Sequence, residues 1–299
     1  MTQLADFRFH HRLRVRWVEV DAQQVVFNGH YLTYLDVAVT EFWRSVGLPY
    51  PDAMRHVGGD IFVRRNTVDY LAPARLDDWL DIGLRCERVG TSSITLYWTV
   101  WTQGRLLVTG EVVYVFTELA TGRAVPVPAS VREQLEAHEL AAPVTRLQCG
   151  PWAELGEAAR SVRLAVFVGE QGVPEHEEWD AQDDAAVHAV VYNLGGLPLA
   201  TGRLILSATP GVPKGHGVAP TLTIARLGRM AVLRSARGRG LGAAVLEALV
   251  AEARARGVGR IDIHAQVATM PFYTKAGFLP VGEVFDEVGI PHRSMTLAL

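Results

Sequence analysis

Two cysteines, Cys86 and Cys149, are all that a chain of 299 residues contains. One falls in a strand-like run and the other near the middle of the chain, so neither a disulfide nor a metal site is expected. Lysine is as scarce, with only Lys214 and Lys275, and arginine supplies the remaining positive charge. A net charge of −3 gives no reason to expect a nucleic-acid partner. No apolar run reaches membrane-spanning length, and Met1 to His11 has no signal-peptide core. The expectation is a cytoplasmic protein with no membrane span.

What is present is enough chain, 49% of it hydrophobic, to fill two cores. Pro126, Pro128 and Pro143 bracket a short amphipathic helix, Ser130 to His138, and Glu139 to Thr145 reads as a linker. The expected domains are therefore residues 1–140 and 144–299.

In the second half, Arg237-Gly238-Arg239-Gly240-Leu241-Gly242 joins a strand-like run, Leu227 to Leu233, to a helix-like run, Ala243 to Arg256. A glycine-rich strand-to-helix turn is an anion site. Its amides point outward, the helix dipole adds positive potential, and glycine lets a ligand approach the backbone. Arg229, Arg234, Arg237 and Arg239 add charge around it, which predicts a phosphate-bearing ligand. A Walker loop is excluded, because no Lys-Ser/Thr follows the glycines. A dinucleotide fingerprint needs G-x-G-x-x-G, whereas this turn offers G-x-G-x-G.

The third phosphate-loop pattern, Arg/Gln-x-x-Gly-x-Gly/Ala, is that of the GNAT N-acetyltransferases, and the chain resembles them beyond the loop. Ile261 to Gln266 reads as the next strand, and Phe272-Tyr273-Thr274-Lys275-Ala276-Gly277-Phe278 follows at the family's distance. Val166-Phe167-Val168-Gly169-Glu170-Gln171-Gly172-Val173-Pro174 and Gly289-Ile290-Pro291-His292 look like the ElaA-like branch. The resemblance spans Val144 to Leu299. It implies an α/β domain with a mixed sheet that holds acetyl-CoA or another acyl-CoA as co-substrate, with no permanently bound cofactor or metal. It also implies that the backbone of Met230, Ala231 and Val232 holds the pantetheine arm. Arg237, Gly238, Arg239, Gly240, Leu241 and Gly242 hold the pyrophosphate, and Tyr273 protonates the departing thiolate. Glu170, Glu178, Asp180 and His188 are candidate bases or amine binders. His264 reads as a packed core histidine, and His292 as either an acceptor-pocket or a loop residue.

The first half has another rhythm. His11 to Trp17 alternates as a strand, and Val18 to Asn28 is irregular. Leu32, Leu35, Val39, Phe42, Trp43 and Val46 then recur at helical spacing. Ile61 to Tyr70, Trp79 to Cys86, Ser93 to Thr102 and Leu106 to Thr117 read as strands. One long apolar helix with an antiparallel sheet around it is a compact α+β pattern.

Val15-Arg16-Trp17-Val18-Glu19-Val20-Asp21-Ala22 and Val25-Val26-Phe27-Asn28-Gly29-His30-Tyr31-Leu32 give this half its resemblance to hotdog-fold acyl-CoA thioesterases. The branch is that of the 4-hydroxybenzoyl-CoA thioesterases or YbgC-like proteins, over Arg8 to Glu136. It implies Asp21 as nucleophile or general base, and the amides near Asn28 and Gly29 as the polarisers of the thioester carbonyl. Gln23-Gln24 stands where many members have glycines, so loop shape and acyl preference are left open. On residue type alone Asp21 reads as a turn or helix-approach carboxylate and Asn28 as a helix cap, and the motif context moves Asp21 to the catalytic reading. The resemblance also implies at least a homodimer through this half.

The whole reads as a bifunctional acyl-CoA enzyme, a hydrolase followed by an acyltransferase acting on an amine. In the alternative, one half is catalytic and the other is an oligomerisation scaffold or acyl-CoA sensor.

Overall fold

The computed structural model describes residues 2–208 and 223–299. The chain divides into two compact units, one running to Thr145 and the other from Arg146 onward, with the Asn193–Leu197 turn grouped with the first.

The first unit is built on β1 (Phe9–Arg14), α1 (His30–Ser45), α2 (Asp52–His56), β2 (Gly59–Tyr70), β3 (Trp79–Val89), β4 (Ser93–Thr102), β5 (Arg105–Glu118) and α3 (Ala129–Glu139). Its sheet is antiparallel with strand order β1-β3-β4-β5-β2. Tyr31, Tyr34, Leu35, Ala38, Val39, Phe42 and Trp43 recur at helical spacing and are all buried, so α1 lays a wide apolar stripe into the core. Phe42 meets Phe9 of β1 edge-on, with ring centroids 5.6 Å apart. The helix stops at Gly47, whose positive φ of 77° lets its own amide bond Arg44 and the Leu48 amide bond Trp43. The Trp98 side chain on β4 is fully buried; β4 carries runs of consecutive buried residues and so is covered on both faces, whereas alternation along β5 places one face of that strand in this core.

The strand expected over His11 to Trp17 ends earlier, at Arg14. Trp17–Glu19 is instead a single 3-10 turn, because the Glu19 carboxylate reaches back to the Arg16 amide at 2.7 Å and closes it. Periodicity alone cannot show such a turn.

The second unit contains β6 (Thr145–Pro151), α4 (Trp152–Arg163), α5 (Glu175–Glu178), β7 (Val187–Asn193) and β8 (Pro198–Ala208). It continues with β9 (Thr223–Val232), α6 (Leu241–Ala255), β10 (Arg260–Gln266), α7 (Met270–Lys275), β11 (Leu279–Glu287) and β12 (Ile290–Ala298). A π-helical segment, Leu164–Glu170, extends α4. The strand order is β11-β12-β10-β9-β8-β7-β6. Parallel pairing joins β9 to β10, with α6 as their crossover, whereas β10–β12, β11–β12, β7–β8 and β8–β9 are antiparallel. The sheet is thus mixed. Val245, Leu246 and Leu249 of α6 share a buried cluster with Leu227 and Ile263, while Val162 of α4 shares another with Ala231.

Two details of β9 open this sheet. Its pairing with β10 covers only Ile224, Ala225 and Arg226, after which the strands part. A bulge then follows, since Gly228 to Ala231 on β9 faces only Arg203 to Thr201 on β8. Arg229 sits in the bulge with φ of 53°, a left-handed backbone unusual for a residue with a side chain. The extra residue shifts the alternation. Leu227 and Met230, three apart, both meet the α6 cluster, and Ala231 turns to α4.

Candidate functional site

The gap between β9 and β10 is the floor of a cavity of about 840 Å³. Met230, Ala231, Val232, Arg237, Gly242 and Tyr273 all line it, so six of the residues that the resemblance assigns to CoA meet there. Gly238, Arg239, Gly240 and Leu241 complete the turn beside it. Gly238 and Gly240 have φ of 81° and 77°, the left-handed region that glycine adopts without strain. Gly240 precedes the first residue of α6 and that helix start has no side-chain cap, which leaves its amides and dipole to an outside partner.

The Phe-Tyr-x-x-x-Gly-Phe run has a local explanation. Gly277, φ 90°, ends α7, and the Phe278 amide bonds the Tyr273 carbonyl at 3.1 Å. The Tyr273 and Phe278 rings then meet edge-on at 5.8 Å, the apolar contact that accompanies this helix stop. Tyr273 is buried, and burial pushes its phenol up to about 12. It holds its proton across the physiological range.

Most of the candidate bases are already engaged. Glu170 takes a two-bond ion pair from Arg237 at 2.7 Å each, which holds its carboxyl below the usual range. Arg163, 1% exposed, binds Glu178 and Asp183 at 2.6 and 2.9 Å. Arg203 binds Asp180 and Asp183 at 2.7 and 2.8 Å. Arg229 lies 3.4 Å from both Glu178 and Asp180. Burial pushes Glu178 up against the pull of Arg229 and Arg163, and the same burial lowers Arg229. His188 is buried on the Asp183 carbonyl at 2.9 Å, and burial lowers it. His292 is likewise buried, with Nδ1 at 2.8 Å from the Ile290 carbonyl, although it lines the cavity.

His264 differs from its expectation. It is not packed in the core: Ile261, Ile263 and Ala265 occupy the buried positions of β10, and strand alternation puts His264 on the other face. Its ring lines the cavity with 38% of the side chain exposed. Arg226 and Glu287 stand beside it. Their separation in sequence concealed the group.

In the first unit, the Asp21 carboxylate accepts the Gln23 amide at 2.8 Å, and the Asp21 amide bonds the Val25 carbonyl. The turn brings the chain back so that Phe27 bonds the Glu19 carbonyl and α1 can start. Here Gln24 takes φ of 63°, a left-handed backbone unusual for a residue with a side chain. Gly29 occupies the position before α1, with Phe27 packed so closely that a Cβ would lie 2.9 Å from its ring. The helix's first backbone bonds begin with the His30 and Tyr31 amides, so those of Asn28 and Gly29 have no backbone partner among the described residues. The Asn28 carbonyl accepts the Tyr70 hydroxyl at 3.1 Å. Asp21, Asn28 and Gly29 thus belong to one loop-to-helix turn.

Glu19 is the residue that sequence reading passed over. It is 1% exposed and accepts Tyr34 Oη at 2.7 Å as well as the Arg16 guanidinium. Burial alone would raise its carboxyl, but the Arg16 side chain, the Arg16 amide and Tyr34 outweigh burial and hold it below the usual range. The signal available was Arg16 and Glu19 three residues apart ahead of the helix. Among the described residues, no three His, Cys, Asp or Glu side chains are grouped to hold a metal.

Comparison with known proteins agrees with both geometries. The signature of the Thioesterase superfamily matches residues 23–120, and that of an acetyltransferase (GNAT) domain matches residues 206–299. The uncharacterized N-acetyltransferase YjcF of Bacillus subtilis is 36% identical over 135 residues, 45% of this chain and 86% of its own. The chain joins a thioesterase-superfamily domain to a GNAT domain. A putative esterase of Aquifex aeolicus is 28% identical over 128 residues, 43% of this chain and 98% of its own. A thioesterase of Thermus thermophilus solved with coenzyme A and zinc is 30% identical, with a TM-score of 0.40, covering 46% of this chain and 98% of that one. With the two signatures and the strand orders above, the fold is a hotdog domain followed by a GNAT domain with a mixed sheet.

Proposed function

We propose that the protein uses acyl-CoA twice, hydrolysing a thioester in residues 1–140 and transferring an acetyl or acyl group from CoA to an amine in residues 144–299. The observation that supports it most is the single cavity shared by the Met230–Val232 backbone, the end of the glycine turn and Tyr273. The parted β9 exposes main-chain groups to a pantetheine arm, and the uncapped start of α6 suits a pyrophosphate. Tyr273, kept protonated by burial, supplies the proton that the CoA thiolate needs on leaving.

In the first domain, Asp21 attacks the thioester carbonyl or activates water. The Asn28 and Gly29 amides, with the positive end of α1, stabilise the oxyanion. A homodimer belongs to this reading. The edge strand β2 exposes Phe62 and Val63, at 57% and 55%, and Phe27, Leu32 and Val37 are exposed at and along α1. So does a cytoplasmic location, where free thiols such as Cys86 and Cys149 persist.

Release of free CoA thiol from short, long and aromatic acyl-CoAs, without amine, tests the hydrolase. Asp21→Asn should abolish release while leaving the turn intact, because the amide oxygen still accepts the Gln23 amide. Equal release by wild type and variant would remove Asp21 from the mechanism. No release from any substrate would leave the first domain as a scaffold or sensor.

A further inference from the structure

The cavity contains one group that the reading above leaves without work. His264 Nδ1 lies 2.9 Å from a terminal nitrogen of Arg226 and 3.1 Å from Glu287 Oε2. These two bonds exclude each other. To bond Arg226, Nδ1 must be a bare acceptor; to bond Glu287, it must carry the proton. Arg226 is exposed and can turn to water, whereas Glu287 is only part-exposed, so the carboxylate favours the protonated Nδ1, which leaves Nε2 as a lone pair. No bond to Nε2 is made among the described residues.

Place and freedom both favour this ring as the base. His264 follows Asp262, the last β10 residue paired with β9, and so stands where the two strands part. Glu178 and Asp180 are held by buried arginines, Glu170 by Arg237, and His188 lies outside the cavity lining. Phe285 of β11 packs edge-on against the ring at 4.9 Å and stacks on His292, which restricts the imidazole. The charged and titratable groups facing the ring are Arg226 of β9, Glu287 of β11 and, through Phe285, His292 of β12.

We propose that His264 takes the proton from the acceptor amine and that Glu287 is a positioning residue that fixes its Nδ1–H tautomer, an inference resting on the acetyl-transfer reading of this cavity. The amine nitrogen bonds to the thioester carbonyl carbon and its proton passes to His264 Nε2. The C–S bond then breaks with its electron pair on sulfur, and the thiolate takes the Tyr273 proton. His264 returns its proton to solvent and Tyr273 recovers one there.

The test reads the tautomer directly, by two-bond nitrogen–proton NMR of the full chain labelled with ¹⁵N-histidine, with His264→Gln identifying the signal. With acetyl-CoA bound, His264 should be the Nδ1–H form, and Glu287→Gln, whose amide can donate, should convert it to Nε2–H. A wild-type Nε2–H tautomer, or no change in Glu287→Gln, overturns the proposal. Calorimetric binding of acetyl-CoA separates the two levels. If wild type does not bind it, the acetyl-transfer reading itself fails; if it binds with the wrong tautomer, only this inference does. With spermidine, the free amino acids and a lysine-bearing peptide as acceptors, His264→Gln should lower kcat by about 100-fold. Acetyl-CoA affinity should stay within about twofold in that variant. Unchanged turnover of any of these acceptors would also overturn it.

Discussion

Arg237 donates from both terminal nitrogens to the Glu170 carboxylate, at 2.7 Å each, while its Nε holds the Val232 carbonyl at 3.1 Å. The arginine of the glycine turn is therefore already matched to a carboxylate, in the two-bond geometry that a phosphate would use. On the proposed acyl-CoA reading, an incoming pyrophosphate competes with Glu170 for it. Glu170→Gln should tighten acetyl-CoA binding by roughly three- to tenfold at low salt, with a smaller gain at 0.5 M salt, roughly, where the field is screened. Calorimetric titration at the two salt concentrations checks this. Weaker binding in the variant would mean that Glu170 aims Arg237 and does not compete for it.

Tyr273→Phe keeps the ring among Phe272 and Phe278 and removes only the hydroxyl. Acetyl transfer should fall by about 10- to 100-fold in kcat with little change in KM for the donor. The phenol also links to stability. Its folded pKa of about 12 lies above the ordinary value near 10, so the unfolded chain loses this proton first as pH rises. Stability should decline between roughly pH 10 and 12, and decline less in Tyr273→Phe, as read by urea unfolding at stepped pH.

Arg163 is the buried centre of an ion network in the second unit. Replacing it with methionine removes the shortest ion pair of the buried Glu178 and leaves Asp183 to Arg203 alone. A loss of about 3–5 kcal/mol is expected, visible in chemical denaturation. Arg163→Met with Glu178→Gln, which removes one charge of each sign, should recover a large part of it. A single variant as stable as wild type would show that the network contributes nothing to the fold.

If the proposed dimer forms through β2, Phe62→Glu with Val63→Lys should shift it toward monomer in sedimentation, since both side chains are exposed on that free edge strand. Thioesterase activity should fall with the dimer if its site is completed across it. A variant that stays dimeric would place the interface elsewhere.

Local chemistry was legible in the sequence. The α1 stripe, the strand alternation, the glycine turn and the Phe-Tyr-x-x-x-Gly-Phe stop each depend on residues within one or two turns of chain. Periodicity and positive-φ demand therefore show them directly. Through motif resemblance the sequence by itself determined a hotdog domain and a GNAT domain, and it marked Met230 to Val232, Arg237 to Gly242 and Tyr273 as the candidate CoA residues. What only the tertiary structure decided is which charge meets which. Arg237 finds Glu170 across 67 residues, and His264 finds Arg226 and Glu287 across 38 and 23. No periodicity encodes those separations. They are set where β9 and β10 part and where the bulge at Arg229 shifts the strand's alternation, because backbone geometry there fixes which side chains share a face.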